Sequence, residues 1–329
     1  MLQRLFAIAL VACFGAQTAL GASYPEKPIR VIAPFAAGQL GDIASRLVTE
    51  KMSQILGERL VVENRPGGYG VIGVTEVIRA VPDGYTIGYL GDGMVATSYP
   101  AFELSPGKTP PYDARVDLAP IGMVLNDFFV IALRTELNIG SLKELIEYSN
   151  RGGKELMITA TGLWTGRIGI AQLQTLKPNG VRLREVFYKG GAEAQLDLRG
   201  GRIDGIFSQH VNVLPLVSDK VVRPIAVLGP SRHPLMPDVP TVEEQGYPSL
   251  SQYPTWQGLF CPRACPQEIV ERLNKALVEA LADKELQERL AQNGARVHPS
   301  TPQELGERIS TSIPALKKFL EEEKLQLIQ

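Results

Sequence analysis

The sequence predicts an α/β protein built from two domains. Two observations carry that prediction. Short apolar runs alternate with helical patterns along most of the chain, separated by turns containing glycine or proline, and two Pro-rich stretches, near 100–125 and 230–255, interrupt the alternation. Strand–helix alternation argues for a mostly parallel sheet with helices on both faces. The interruptions mark the expected crossings between domains. The first domain is then discontinuous, residues 24–125 plus 250–329, and residues 126–249 form the second.

The elements follow in order. Ile29–Ala33 reads as a strand, followed by the loop Pro34-Phe35-Ala36-Ala37-Gly38-Gln39-Leu40-Gly41-Asp42. A helix is predicted from Ile43 to Leu56, because Ala44, Leu47, Val48, Met52 and Ile55 recur at helical spacing, with Asp42 as its N-cap. Leu60–Val62 is a strand, 72–80 a helix, Pro82-Asp83-Gly84 a turn and Tyr85–Leu90 a strand. Residues 100–120 read as irregular.

The second alternating set starts with the strand Phe128–Leu133 and a helix at 142–150, where Ser141 and Glu144 form a capping box. Strands at 155–160, 184–187, 203–207 and 224–228 then alternate with helices at 168–176, 192–199 and 211–218. Beyond the second Pro-rich stretch, Trp256–Cys261 is a strand. Pro266 opens one long helix to Ala291, with Ile269, Leu273, Leu277 and Leu281 as a core-facing stripe. Thr301, Pro302 and Glu304 start the last helix, which reaches Leu327 and is expected to bend at Pro314.

The bulk numbers exclude several classes. With 329 residues, 44% hydrophobic and 21% charged, the chain supports a normal core. A net charge of −1 offers no basic surface for nucleic acid. At the N-terminus Arg4, the apolar run Leu5–Phe14 and the small residues Ala19-Leu20-Gly21-Ala22-Ser23 read as a secretory signal peptide over 1–23. The run falls short of the about 20 apolar residues a membrane span needs. A lipid anchor at Cys13, after Leu10-Val11-Ala12, is the alternative. Export places the protein in the periplasm. Cys261 and Cys265 remain after cleavage, and a short disulfide or two thiols are both open. No metal is expected, because His210, His233 and His298 are scattered and no other Cys remains.

Gly68-Tyr69-Gly70-Val71-Ile72-Gly73 formally matches the dinucleotide fingerprint, with Asp92 about twenty residues on. The local grammar contradicts it. Glu63-Asn64-Arg65-Pro66-Gly67 separate the glycines from the strand, so the chain has already turned. No cofactor is expected.

Two loops share one design, an apolar strand running through glycines into a helix start: Phe35, Gly38, Gln39, Leu40, Gly41 and Asp42 in the first, and Thr161, Gly162, Trp164, Thr165, Gly166 and Arg167 in the second. A helix start presents free N–H groups and about half a positive charge, and glycine lets a ligand come close. Facing each other across a cleft, the pair would clamp a small anion. Arg167 is a candidate carboxylate partner, or a solvated helix-start arginine. Trp164 either covers the ligand or packs between domains. Tyr188 and Lys189 end a strand, where open α/β sheets bind ligands. Ser208 and His210 follow another strand toward the same edge. No G-x-S-x-G, H-E-x-x-H or Walker A motif occurs, so no catalytic residue is assigned.

Tyr24-Pro25-Glu26-Lys27-Pro28-Ile29-Arg30, Pro34-Phe35 with Gly38 and Asp42, Glu63-Asn64-Arg65-Pro66-Gly67, Pro82-Asp83-Gly84-Tyr85-Thr86, Tyr188-Lys189-Gly190, Gly201-Arg202-Ile203-Asp204 and Pro237-Asp238-Val239-Pro240-Thr241 occur in this order. Together they resemble, over the mature length, the Bug-type solute-binding proteins of tripartite tricarboxylate transporters. The resemblance implies a type II periplasmic-binding-protein fold with a hinge, a monomer, and no catalysis. It implies carboxylate capture between the two loops and delivery to a membrane permease with a large and a small subunit. A sensing subunit for a signalling partner, or an exported enzyme on the same fold, are the alternatives. The chain departs from the family pattern at the expected site. Gly38-Gln39-Leu40-Gly41-Asp42 replaces Gly-Gly-Gly-Thr-Asp, Ile168 stands at a usual His, and Ser208 stands at a usual Asp. Losing that Asp and gaining Arg167 would suit a second negative charge, and Trp164 and Leu40 an apolar or aromatic spacer, which implies a ligand larger than a C4 dicarboxylate, an aromatic or longer-chain carboxylate.

Overall fold

The computed structural model describes residues 24–126, 128–160, 163–176, 178, 180–188, 191–229, 231–251, 255–325 and 327–328. The leader and Cys13 lie outside the described residues. In chain order the elements are β1 (Ile29–Ala33), α1 (Leu40–Leu56), β2 (Leu60–Asn64), α2 (Val71–Ile78), β3 (Thr86–Gly91), α3 (Ser98–Glu103), α4 (Ala114–Asp117), β4 (Leu118–Asn126) and β5 (Phe129–Arg134). Then come α5 (Leu142–Asn150), β6 (Leu156–Ala160), α6 (Leu163–Gln174), β7 (Leu183–Glu185), α7 (Gly191–Arg199), β8 (Gly205–Gln209), α8 (His210–Ser218) and β9 (Val222–Leu228). The chain closes with β10 (Trp256–Pro262), α9 (Gln267–Leu281), α10 (Lys284–Gln292), β11 (Arg296–Val297) and α11 (Pro302–Glu322).

Two sheets form, in the orders β11-β4-β10-β3-β1-β2 and β7-β6-β8-β5-β9. Both are mixed, which corrects the mostly parallel expectation. β1 runs parallel to β2 and β3, but β10 is antiparallel to β3 and β4. β5 is likewise antiparallel to β8 and β9. The cause is the crossing itself. β4 leaves the first sheet at Asn126 and β10 re-enters it at Trp256, and these two residues pair. An outgoing and an incoming strand side by side must run in opposite directions. The partners lie too far apart in sequence for local pattern to reveal them, which is why no strand was expected over β4 and residues 100–120 read as irregular.

The helices bury the stripes their spacing predicts. Ala44, Val48 and Met52 of α1 are fully enclosed, as are Leu273 and Leu277 of α9. Each of the Val, Met and Leu side chains contributes roughly 1.5–3 kcal/mol of transfer free energy. The single helix expected from Pro266 to Ala291 is instead two, because the Asp283 carboxylate caps α10 by accepting from Leu286 N–H at 2.9 Å. The Thr301–Glu304 capping box forms at the start of α11. At α5 the Ser141 hydroxyl caps as expected, but the Glu144 carboxylate reaches Gly140 N–H instead of completing the box. Among the described residues no helix is long and apolar enough to cross a membrane.

Candidate functional site

A cavity of about 600 Å³ opens between the two sheets. Its walls are the segments just past the strand ends. Pro34 follows β1, Pro66 follows β2, Gly91 ends β3, Ala160 ends β6, Glu185 ends β7 and Gln209 ends β8. That is where open α/β sheets place ligands, because helix starts converge there. The volume lies within the range of small-molecule sites.

The first wall is the loop from Pro34 into α1. Here the structure corrects the expected role of Asp42. The helix begins at Leu40 with Gln39 as N-cap, so Asp42 sits inside the first turn. Its carboxylate is buried and accepts from Gly38 N–H at 2.9 Å, Arg46 Nε at 2.8 Å and Asn64 Nδ2 at 2.9 Å. Burial alone would raise its pKa, but these donors outweigh burial and hold it below the usual carboxylate range. Asn64 also donates to the Phe35 carbonyl, fastening the loop to β2. Gln39 Oε1 accepts from Ala36 N–H. The loop is thereby held in place, and Gly41, in the first turn where N–H groups lack intrahelical partners, lines the cavity. A Cβ at Gly41 would lie 2.5 Å from the Phe35 ring, so only glycine lets the ring lie flat against the helix start.

The glycine loop at 67–70 forms part of the same wall, with Pro66, Gly67, Tyr69 and Gly70 lining the cavity. Tyr69 takes φ 58°, a left-handed conformation that is strained for a bulky residue. The motif that formally resembles a dinucleotide fingerprint therefore serves the cleft through close backbone approach.

The second wall carries side-chain chemistry. Helix α6 starts at Leu163, earlier than expected, which places Arg167 in its second turn. Arg167 Nε donates to Glu185 Oε2 at 3.3 Å, its Nη1 donates to the Leu327 carbonyl, and its guanidinium lies 4.8 Å from the Phe187 ring centroid. Burial pushes the Glu185 pKa up despite the Arg167 charge beside it. Tyr188 lines the cavity while its hydroxyl donates to Asp197 at 2.7 Å. Its pKa is pushed up to about 12, by burial first and then by that bond. Across the cleft, Thr165 Oγ1 donates to Asp92 Oδ2 at 3.2 Å, and Asp92 Oδ1 accepts from Trp256 N–H at 3.4 Å. One carboxylate thus joins both walls to the crossing strand.

Of the residues expected to bind, Phe35, Gln39, Gly41, Thr165, Arg167 and Tyr188 line the cavity. Gly38, Leu40, Asp42, Gly166, Ser208 and His210 do not. Leu40 is buried in the core, and Ser208 accepts from Asn212 Nδ2 inside the second domain. His210 packs against His233, with ring centroids 4.7 Å apart, and a Cβ at Gly294 would strike its ring at 2.4 Å. It therefore belongs to the contact between the two sheets' domains. Burial lowers its pKa to about 4 and that of His233 to about 3. Thr161, Gly162, Lys189 and the Trp164 side chain lie outside the described residues. Cys261 and Cys265 are two free, buried thiols in hydrogen-bond contact, which holds Cys261 protonated. Among the described residues no cluster of His, Cys, Asp or Glu could hold a metal ion.

Sequence reasoning missed Asp92, Met94, Phe129, Glu185, Phe187, Asn212 and Gln257 as lining residues. Asp92, Phe129, Phe187 and Gln257 stand at or just beyond predicted strand ends, and nothing in the local pattern flags Met94, Glu185 or Asn212.

Two sheets joined by paired crossing strands, with a cavity at their converging helix starts, define a type II periplasmic-binding-protein fold. A family profile described as Tripartite tricarboxylate transporter family receptor matches residues 44–325, and the chain belongs to that family. The protein BugT of Bordetella pertussis is 31% identical over 281 residues, 85% of this chain and 84% of BugT. Among solved structures, the periplasmic binding protein BugD shares 32% identity at TM-score 0.71, covering 92% of this chain and 99% of BugD. MatC from Rhodopseudomonas palustris, solved with malate, shares 27% identity at TM-score 0.71, covering 90% and 99%. An R. palustris protein solved with adipate shares 25% identity at TM-score 0.76, covering 92% and 98%.

Proposed function

We propose that this protein captures a small carboxylate with an extended or aromatic apolar body in the cleft and hands it to a tripartite tricarboxylate transporter permease. The first wall supplies the carboxylate site from the backbone amides at the start of α1. The malate and adipate held by family relatives support the carboxylate class.

The observation that carries the ligand's shape is the pairing of Arg167 with Glu185. Arg167 is the only cation among the described lining residues, and it is already engaged, while Asp92 adds a negative charge. A second ligand carboxylate close behind the first, as in succinate, would meet a poor electrostatic partner there, whereas the longer body of adipate separates its two charges. Phe129, Phe187 and Met94 offer an apolar surface to the rest of the ligand. Titrating the ligand-free mature protein with benzoate, adipate, succinate and benzamide tests this reading. Binding of benzoate or adipate above succinate supports it, and binding confined to succinate overturns it. Permease delivery is tested separately, by loss of uptake on deleting the adjoining membrane subunits.

A further inference from the structure

Behind the cleft lies a second, smaller cavity of about 240 Å³. Thr165 and Phe129 line both cavities and form the partition. Asn126, Thr255 and Arg308 wall it from the first sheet's side, and Ile168, Phe207 and Leu250 from the second. Its space suits a small organic molecule rather than one water.

The Arg308 guanidinium is the unusual feature. It projects from α11, is partly buried, and makes no hydrogen bond or ion pair among the described residues. Its surroundings lower its pKa through burial, opposed at longer range by Asp92. Three other polar groups are occupied: Asn126 Nδ2 contacts His298 Nδ1 at 3.1 Å, Gln172 Nε2 donates to the Ser249 carbonyl, and Thr165 Oγ1 donates to Asp92. Glu243 and His298 also line it and are exposed, and burial followed by the Arg308 charge lowers the His298 pKa. A partly buried cation with unused donors costs stability unless an anion meets it. Phe129, Ile168, Phe207, Leu228 and Leu250 give the wall its hydrocarbon.

We propose that this rear cavity is a second carboxylate site, separate from the cleft, in which Arg308 takes the carboxylate and Phe207, Ile168 and Leu250 take a short hydrocarbon body. Both domains wall it, so an occupant ties them together on the hinge side.

Butyrate is the probe, with butyramide as its neutral counterpart, titrated into the ligand-free mature protein by calorimetry. Wild type is expected to bind butyrate and not butyramide. Arg308→Met is expected to weaken this binding about tenfold or more, the loss of a charged hydrogen-bond partner. Arg308→Lys should retain it within a few-fold, and Gln39→Ala, which alters only the cleft, should leave the Arg308-dependent event unchanged. Ligand-free Arg308→Met should melt no lower than wild type, because it loses an unpaired charge and keeps its volume. Butyrate binding that is absent, unchanged in Arg308→Met, or matched by butyramide would overturn the proposal, as would a lowered ligand-free melting temperature. A cleft ligand that still binds Arg308→Met normally would leave the receptor reading standing.

Discussion

The two walls of the cleft are built by different means. The first is a backbone surface, in which the Asp42–Asn64–Arg46 cluster locks the loop and glycines clear the space. The second is a side-chain surface, in which Arg167, Glu185, Phe187 and Tyr188 face the cavity. Backbone amides at a helix start recognise any carboxylate, whereas side chains vary with the rest of the ligand. The contrast teaches that common chemistry belongs on the rigid wall and selectivity on the variable one. It also separates two carboxylates with opposite pKa directions: Asp42 is held low by its donors and Glu185 is pushed high by burial.

The largest expected effect breaks the rigid wall. Asp42→Ala strands Gly38 N–H, Asn64 and Arg46 and should cost about 2–4 kcal/mol in denaturant unfolding. A loss within measurement error would mean the loop holds itself. Gly41→Ala drives a Cβ into the Phe35 ring and should cost about 1–3 kcal/mol, with weaker carboxylate binding in titration. Glu185→Gln sharpens the contrast from the other side. It frees Arg167, so succinate and adipate should gain about three- to tenfold in affinity.

The pH dependence follows from the same two groups. The raised Glu185 pKa contributes stability below its ordinary value that is lost as pH rises through the folded value. Glu185→Gln should therefore remove the fall in melting temperature between those two values. Asp42 contributes in the reverse sense, with stability lost as pH falls through its depressed value. His210 and His233, at about 4 and about 3 in the fold, add a loss of stability as pH falls from 6.5 toward 4, which a melting series on His210→Gln should reduce. The smallest effect is Tyr69→Asn, which relieves left-handed strain and should stabilise by up to about 1 kcal/mol in thermal unfolding.

Most strands and helices were legible, because period-2 and period-3.6 patterns are local. β4 was not, because its partner β10 lies more than a hundred residues away and their antiparallel pairing is a property of the crossing. The first loop's position at the cleft was legible from its strand–glycine–helix grammar. The inward role of Asp42 was not, since an acidic residue near a helix start fits a cap equally well until Gln39 is seen to hold that place. Glu185 was invisible for a different reason. Nothing in Leu183-Arg184-Glu185 says that its carboxylate will meet Arg167 from another element. His210 looked reachable from the cleft because it follows β8, yet the close approach of Gly294 keeps it in the contact between the domains.

The most direct test of the account is calorimetric titration of the refolded, ligand-free mature protein with benzoate, adipate, succinate and benzamide in parallel. The account predicts one-to-one binding of benzoate or adipate, weaker binding of succinate, and about a hundredfold or greater loss for the amide, which lacks the charge that the helix start holds. Equal binding of benzoate and benzamide, or binding of succinate alone, would contradict it.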